Sequence, residues 1–408
     1  MTENITIEQP SLKNLGQRAK GDKVIWAIVI LLGLVSLLAV YSSTGLLAYK
    51  MNRGNTEVYL FKQAVFISLG IAVIYFMHRV NYTFYSRLAV ILFLVSIPLL
   101  LYTLFYGVTL NEGSRWIRVP VINLTFQTSD LAKLALFMYV SRQLSRRQLH
   151  VNDLKKGFLP VIIPVCIICL LIAPANLSTA VLLAASCMML MFIGRIRAKF
   201  LLVTIGVALL PVLILVTIAM AYYDKQEQKC KELPSILQES RIPTWIKRVQ
   251  TFMYASKDID KDDNYQVNQA KIGIAKGGWF GAGPGNSESR NFLPHPYSDF
   301  IYAIIIEEYG LIGGACLVFI YLLFLFRSIR LFRKCPYAFG AFLALGLSFT
   351  LVIQALTNMA VNVNLFPVTG VTLPLVSMGG SSFLFTCVSI GIILSVARNV
   401  EQLEGKSQ

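Results

Sequence analysis

Ten stretches of this chain are apolar for long enough to cross a lipid bilayer, and nothing else constrains its fold as strongly. A hydrocarbon core about 30 Å thick needs roughly 20 apolar residues per helix. The runs lie near residues 24–46, 59–77, 85–107, 126–141, 158–172, 177–194, 200–222, 298–326, 338–359 and 373–397. The fourth and fifth are short and comparatively polar, so their limits are soft. The first is too long for a signal-peptide core and others follow it, so it is expected to remain as a span. Composition agrees: 56% of the 408 residues are hydrophobic and only 14% charged, against the quarter usual in soluble domains. The expected fold is an all-α polytopic membrane protein of ten transmembrane helices.

Lysines and arginines in short loops set the expected orientation. Lys13, Arg18, Lys20 and Lys23 precede the first run; Arg79 and Arg87 flank the second loop; Arg142, Arg146, Arg147, Lys155 and Lys156 fill the fourth. Arg195, Arg197 and Lys199 lie in the sixth loop, and Arg327, Arg330, Arg333 and Lys334 in the eighth. Odd-numbered loops are poorer, with Lys50 and Arg53 in the first and Arg115 and Arg118 in the third. Both termini are therefore expected in the cytoplasm. The division that follows is a cytoplasmic tail (1–22), spans one to seven (23–223), a large extracytoplasmic loop (224–297), spans eight to ten (298–398) and a second cytoplasmic tail (399–408). The inside bias accounts for most of the net charge of +16, which argues for no nucleic-acid partner.

Several chemistries lack their motifs. The seven cysteines form no disulfide framework, and Cys166 and Cys169 sit in an apolar run that suits packing better than metal or redox work. Three histidines give no zinc spacing. The run Gly281-Ala-Gly-Pro-Gly285 has neither the strand–helix context nor the Lys-Ser/Thr of a nucleotide loop. In the large loop, Trp245, Ile246, Val249, Phe252 and Met253 recur at helical spacing. That segment could lie in the membrane interface or pack on the bundle.

Ionisable groups at bilayer depth cost several kcal/mol unless paired or hydrated, so each is a functional candidate. Asp130 and Lys133 stand three apart in the fourth run, on one helix face. They read either as a structural ion pair or as a cation held near a lipid phosphate. Lys62 can snorkel outward. Glu307 and Glu308 fall about two turns inside the eighth run, where at least one is expected to face the bundle and meet a basic or amide group. Asp299, at the head of that run, has two equal readings. Ser298 and Asp299 could cap the helix and complement its dipole. Alternatively, a carboxylate between water, headgroups and hydrocarbon could do chemistry on a lipid-carried polar substrate, with Arg115 and Arg118 on the same membrane face to attract its anionic group.

Six blocks of sequence resemble one family in order. They are GSRWIRVP (113–120), FQTSDLAKLALF (126–137), PANLSTA (174–180), YQVNQAKIGIAKGGWFGAGPGNS (265–287), LPHPYSDFIYAIIIEEYGLIGG (293–314) and LPLVSMGGSSF (373–383). The chain so resembles the SEDS family (shape, elongation, division and sporulation), the RodA/FtsW peptidoglycan glycosyltransferases. What the resemblance implies is polymerisation of lipid II, the undecaprenyl-pyrophosphate-linked disaccharide pentapeptide, into glycan strands by inverting β-1,4 transfer. The family's essential aspartate falls on Asp299, the expected general base. Arg115 and Lys133 are expected to steady the leaving pyrophosphate, with or without Mg2+ or Mn2+, and Asp130 to shape the cavity. Arg118, Gln266 and Ser381 complete the expected substrate-binding set.

The resemblance also implies partners: a class B penicillin-binding protein transpeptidase, other division proteins, and the inner membrane at the septum. Wording around residues 373–382 favours the division member; an elongation-type polymerase and a lipid II flippase are the alternatives. Departures from the family pattern are Thr128 and Asp130 within Phe-Gln-Pro-Ser-Glu, Asn176 for an acid, Met378 for a tyrosine, and Asn291 where some members carry an acid.

Overall fold

The computed structural model describes residues 21–45, 47, 49, 55–110, 113–119, 124–224, 229–230, 242–254, 261–293 and 296–404. Seven helices come first: α1 (Lys23–Ser43), α2 (Glu57–Arg79), α3 (Tyr82–Tyr106), α4 (Thr128–Arg146), α5 (Leu159–Ile172), α6 (Leu177–Ile193) and α7 (Ala198–Ala221). Two shorter ones, α8 (Ile242–Tyr254) and α9 (Lys261–Gly277), precede the long α10 (Ile301–Lys334), α11 (Ala338–Asn362) and α12 (Gly380–Glu404). Among the described residues, eight helices are long and apolar enough to cross a membrane: α1, α2, α3, α5 with the π turn that leads into it, α7, α10, α11 and α12. This is a mostly helical, multi-pass membrane protein.

The remaining two show how burial changes what a span requires. Helix α6 is apolar but has only 17 residues. Helix α4 is long enough yet polar, and most of it is enclosed: Ala132, Leu134, Leu136, Phe137, Met138 and Val140 lie in the core. It packs on α3, α5 and α11. A helix wrapped by other helices has no lipid to satisfy, so its sequence need not be oily. Elsewhere α12 packs on α2, and α10 on α1 and α11.

Four expectations need correction. The protein is not wholly α: β1 (Val108–Leu110), β2 (Gly113–Val119) and β3 (Leu124–Gln127) form an antiparallel sheet between α3 and α4, and β4 (Tyr223–Asp224) pairs with β5 (Lys229–Cys230). Phe126 and Gln127 therefore end a strand, and the fourth helix starts at Thr128. The last helix starts at Gly380, not 373, because Pro374 offers no amide proton and Leu375 has φ +63°. That apolar run is a buried turn, with Leu373, Leu375 and Val376 in the core. The eighth run does not make one straight helix: Gly310 (φ 71°, ψ −177°) breaks α10.

Helix α8 packs on α7 rather than standing apart from it. Ile246 is buried and the Gln250 side-chain amide donates to the Ala219 carbonyl at 2.8 Å. At the basic end of the bundle, Asp22 caps α1 and its carboxylate pairs with Arg327 of α10 at 2.6 Å.

Candidate active site

Asp299 does not cap its helix. Phe300 is the N-cap of α10 and offers no side-chain bond, while the amide of Ala303 is satisfied by Asn362 Oδ1 at 3.0 Å from the end of α11. The capping expectation fails because α11 supplies the acceptor in place of the chain's own Ser298 or Asp299. Main-chain contacts hold the Asp299 turn from two sides. Its carbonyl accepts from Asn358 Nδ2 and Asn362 Nδ2, each at 2.9 Å. Ser377 Oγ donates to the Ser298 carbonyl at 2.6 Å, and the Met378 amide to the Tyr297 carbonyl at 2.9 Å. The half-exposed Asp299 carboxylate accepts from Ser298 Oγ at 3.2 Å. Burial, with Tyr59 and the Asp299 charge nearby, pushes the Tyr297 phenol up, which places a neutral ring beside the carboxylate.

Asn358 and Asn362 were not among the residues read as functional from the sequence. Their signal was available: two amides one helical turn apart at the end of an apolar run. Asn362→Ala removes both a donor to Asp299 and the acceptor for Ala303, so a loss of about 1–3 kcal/mol is expected from a buried amide left unpaired. Thermal unfolding of the detergent-purified variant checks this; a shift no larger than that of a neutral surface change would sink it.

A second polar cluster lies along the chain from this turn. The Asp130 carboxylate pairs with Lys133 Nζ at 2.6 Å and accepts a short hydrogen bond from Ser382 Oγ. The Gln127 amide donates to Ser381 Oγ at 3.2 Å. Asp130, Lys133, Gln354, Ser382, Thr386 and Ser389 line a small, half-open cleft among α4, α11 and α12. Five Cα–Cα steps lead from Ser377, bonded to the Asp299 turn, to Ser382, bonded to Asp130. A chain of that length spans at most about 18 Å. The two clusters therefore belong to one neighbourhood, with the 371–380 segment as their common wall.

Of the expected binding residues, Lys133, Asp130 and Ser381 meet here. Arg115 and Arg118 lie on β2, whose Trp116 pairs in register with Gln127; their side chains fall outside the described part of the structure. Gln266 is half-buried on α9, whose Ala270 packs with Phe300, Ala303 and Ile304 just beyond Asp299. Among the described residues no three His, Cys, Asp or Glu side chains gather as a metal-ligand set. A divalent cation here would rest mainly on substrate oxygens, as Mg2+ commonly does, and no step below is routed through one.

Glu307 and Glu308 are both buried. Glu307 accepts from Ser287 Oγ at 2.5 Å and from the amides of Glu288 and Ser289 at 3.1 and 3.3 Å. Glu308 accepts a short hydrogen bond from Ser42 Oγ at the end of α1, and Arg290 Nη1 donates to the carbonyl and hydroxyl of that same serine at 3.0 and 3.3 Å. The break at Gly310 leaves backbone groups without helical partners, and the glycine-rich loop after α9 takes them up. Ala282 and Gly283 donate to the carbonyls of Glu307 and Glu308, and Leu311 donates to the Gly278 carbonyl. Irregular backbone is tolerated at membrane depth where protein satisfies it in this way.

Comparison with known proteins decides the family. The sequence model of the FtsW/RodA/SpoVE cell cycle proteins matches residues 22–402. A probable peptidoglycan glycosyltransferase FtsW from Trichlorobacter lovleyi is 31% identical over 387 residues, covering 94% of each chain. The chain belongs to the FtsW/RodA/SpoVE family. The stage V sporulation protein E of Bacillus subtilis is 28% identical over 94% of this chain and 98% of its own. Among solved structures, a chain from a study of the structural coordination of polymerization and crosslinking by a peptidoglycan synthase complex shares the fold (TM-score 0.70, 23% identity, 94% of this chain and 99% of that one). So does the rod shape determining protein RodA of Thermus thermophilus (TM-score 0.64, 22% identity, 93% and 97%).

Membership puts the departures from the family pattern in context. Asn176 caps α6 by accepting from the Thr179 amide at 3.2 Å, a task its amide oxygen performs as a carboxylate would. Met378 acts through its main-chain amide, which any residue but proline supplies. Asn291 is exposed at the end of a 3-10 turn.

Proposed function

We propose that this chain is a peptidoglycan glycosyltransferase that polymerises lipid II for cell division, with Asp299 as general base. The carboxylate takes the proton from the acceptor GlcNAc 4-hydroxyl as that oxygen attacks C1 of the donor MurNAc. The bond from C1 to the pyrophosphate oxygen breaks, the anomeric centre inverts, and undecaprenyl pyrophosphate leaves carrying the electron pair. The observation that carries this reading is the placement of Asp299. The acid is pinned through its backbone at the rim of the spans and linked by one short segment to a cleft that holds an ammonium. Fixed positive charge aimed at a developing anion stabilises a transition state without reorganising. Lys133 is in position for that role, with Arg115 and Arg118 on the neighbouring sheet. Asp130 and Ser382 orient Lys133, and Ser381 and Gln266 line the approach.

This reading carries a topology. The end of the bundle bearing Lys23, Arg79 and Arg327 is cytoplasmic, both tails (1–22 and 399–408) lie there, and residues 224–297 face the outside. Helices α1–α7 and α10–α12 are then the ten spans. The partner is a class B penicillin-binding protein with other division proteins, and the site of action is the septum of the inner membrane. Relatives named FtsW and the wording of residues 373–382 favour division over an elongation role.

Purified protein in proteoliposomes, given lipid II and the transpeptidase partner, is expected to produce glycan polymer resolvable on a gel. Transbilayer movement of lipid II without polymer would replace this reading with the flippase. Lys133→Gln should lower kcat/KM by tenfold or more, about 1.4 kcal/mol or above, if its charge meets the leaving group. Unchanged kcat/KM would confine the Asp130–Lys133 pair to structure.

A further inference from the structure

We infer that the tip of the glycine-rich loop, Trp279 and Phe280, inserts into the outer leaflet at the boundary between acyl chains and headgroups. There it fixes the height of the half-helix that begins just after Asp299. A ruler inside the molecule carries the depth. Asp22 and Arg327 pair at the basic end, and Ser42 and Glu308 bond at the other. Along α1 the two contacts are 20 residues apart, about 30 Å at 1.5 Å per residue, which matches a hydrocarbon core of about 30 Å. Beside it the unbroken part of α10 below Gly310, residues 311–327, adds about 24 Å of the same wall. The level of Glu308 is therefore the outer edge of the hydrocarbon. The loop is bonded at that level, through Gly278, Ala282 and Gly283 to residues 307–311.

Exposure changes at the same level. Below the break, α10 presents Ile312, Phe319, Leu322 and Phe326 outward in one helical stripe. Above it, residues 301–308 are buried on every side. Trp279 and Phe280 are 68% and 83% exposed directly beside Leu311 and Ile312, so they prolong the lipid-facing stripe by one more tier. An indole at the level of the headgroups, with an aromatic neighbour turned to the chains, is the arrangement that membrane-interface residues favour. The loop cannot swing independently of the bundle, because Gly277, Gly281 and Gly310 stand in backbone-to-backbone contact that a Cβ would not fit. Height sensed at the tip is thus passed to residues 301–309, a rigid piece about 13 Å long.

Trp279 emission locates the tip directly. Wild type and Trp279→Phe, both in phosphatidylglycerol–phosphatidylethanolamine vesicles, give a difference spectrum that isolates this indole from the three other tryptophans. The difference emission is expected to be blue-shifted, and to be quenched more by lipids brominated near the carbonyl end of the chain than by those brominated near its middle. Aqueous acrylamide should quench it only weakly. Efficient acrylamide quenching with no effect of brominated lipid places the tip in water and overturns the inference. Bromolipid quenching that disappears when the transpeptidase partner is added also overturns it, since a protein then covers the surface.

A second arm rests on the glycosyltransferase reading. Trp279→Ser with Phe280→Ser should make polymerisation fall severalfold in vesicles and little in detergent, where no fixed plane exists. Equal loss in both media would count against a depth role. The fluorescence arm needs no turnover, so failure of the inference and failure of the proposed function are read separately.

Discussion

Asp299→Ala should abolish glycan polymerisation while leaving the protein folded, and Asp299→Asn should do nearly the same. A positioned general base typically contributes 10²–10⁴-fold, and the amide keeps the shape of the carboxylate without its basicity. The fold should tolerate both changes, because the turn is held through the carbonyls of Tyr297, Ser298 and Asp299 rather than through the carboxylate. Turnover of lipid II by detergent-purified variants, beside their thermal unfolding curves, checks the two halves separately. Polymer formation by Asp299→Ala within a factor of ten of wild type would remove the base from Asp299. A collapsed unfolding temperature would show instead that the residue is structural.

Gly310→Ala should be strongly disruptive for a change of a single methyl group. With φ at 71° and ψ near 180°, Gly310 occupies a region open essentially to glycine alone, and forcing another residue there costs about 1–3 kcal/mol. The added Cβ would also lie 2.2 Å from the Trp279 carbonyl oxygen and 2.6 Å from the Gly281 nitrogen, both backbone atoms that cannot rotate away. Strain and displacement together should exceed about 3 kcal/mol, the range reserved for mutations with a specific mechanism. The loop would be pushed out, freeing the carbonyls of Glu307 and Glu308 and loosening the half-helix behind Asp299. Low yield of folded protein, with lost activity in what remains, is the expected result. Near-normal unfolding and activity would mean that the break is not needed.

How legible this was depends on which physical rule governed each segment. The lipid-exposed spans could be read directly, since hydrocarbon imposes length and apolarity on a helix such as α7, where only Leu201 and Ala219 are buried. The rule weakens wherever protein replaces lipid. Residues 373–379 are as oily as a span, yet they form a turn, because burial in the bundle asks for apolarity and says nothing of helicity. The sheet at 108–127 was hidden for the opposite reason: short amphipathic strands outside the bilayer leave a faint signal beside long apolar runs. Asp299 and the Asp130–Lys133 pair were legible as charges out of place, and family resemblance sharpened that reading to a base and a binding pair. The asparagines of α11 went unread because amides are penalised less than charges and so attract less notice. The pairing of the 277–285 loop with the break at Gly310 could not be seen at all. It joins segments through main-chain groups, which every residue carries.

The enclosure of α4 bears on how such a chain is assembled. With Asp130 and Lys133 near its start, this helix gains little by leaving the insertion channel for lipid alone. The surfaces that shelter it come partly from α3, made just before, and partly from α11 and α12, which are translated some two hundred residues later. Until those arrive, part of the cover over the charged face of α4 is missing. A chain truncated after α7 should therefore be cleared by quality-control proteases, although most of its spans are already made.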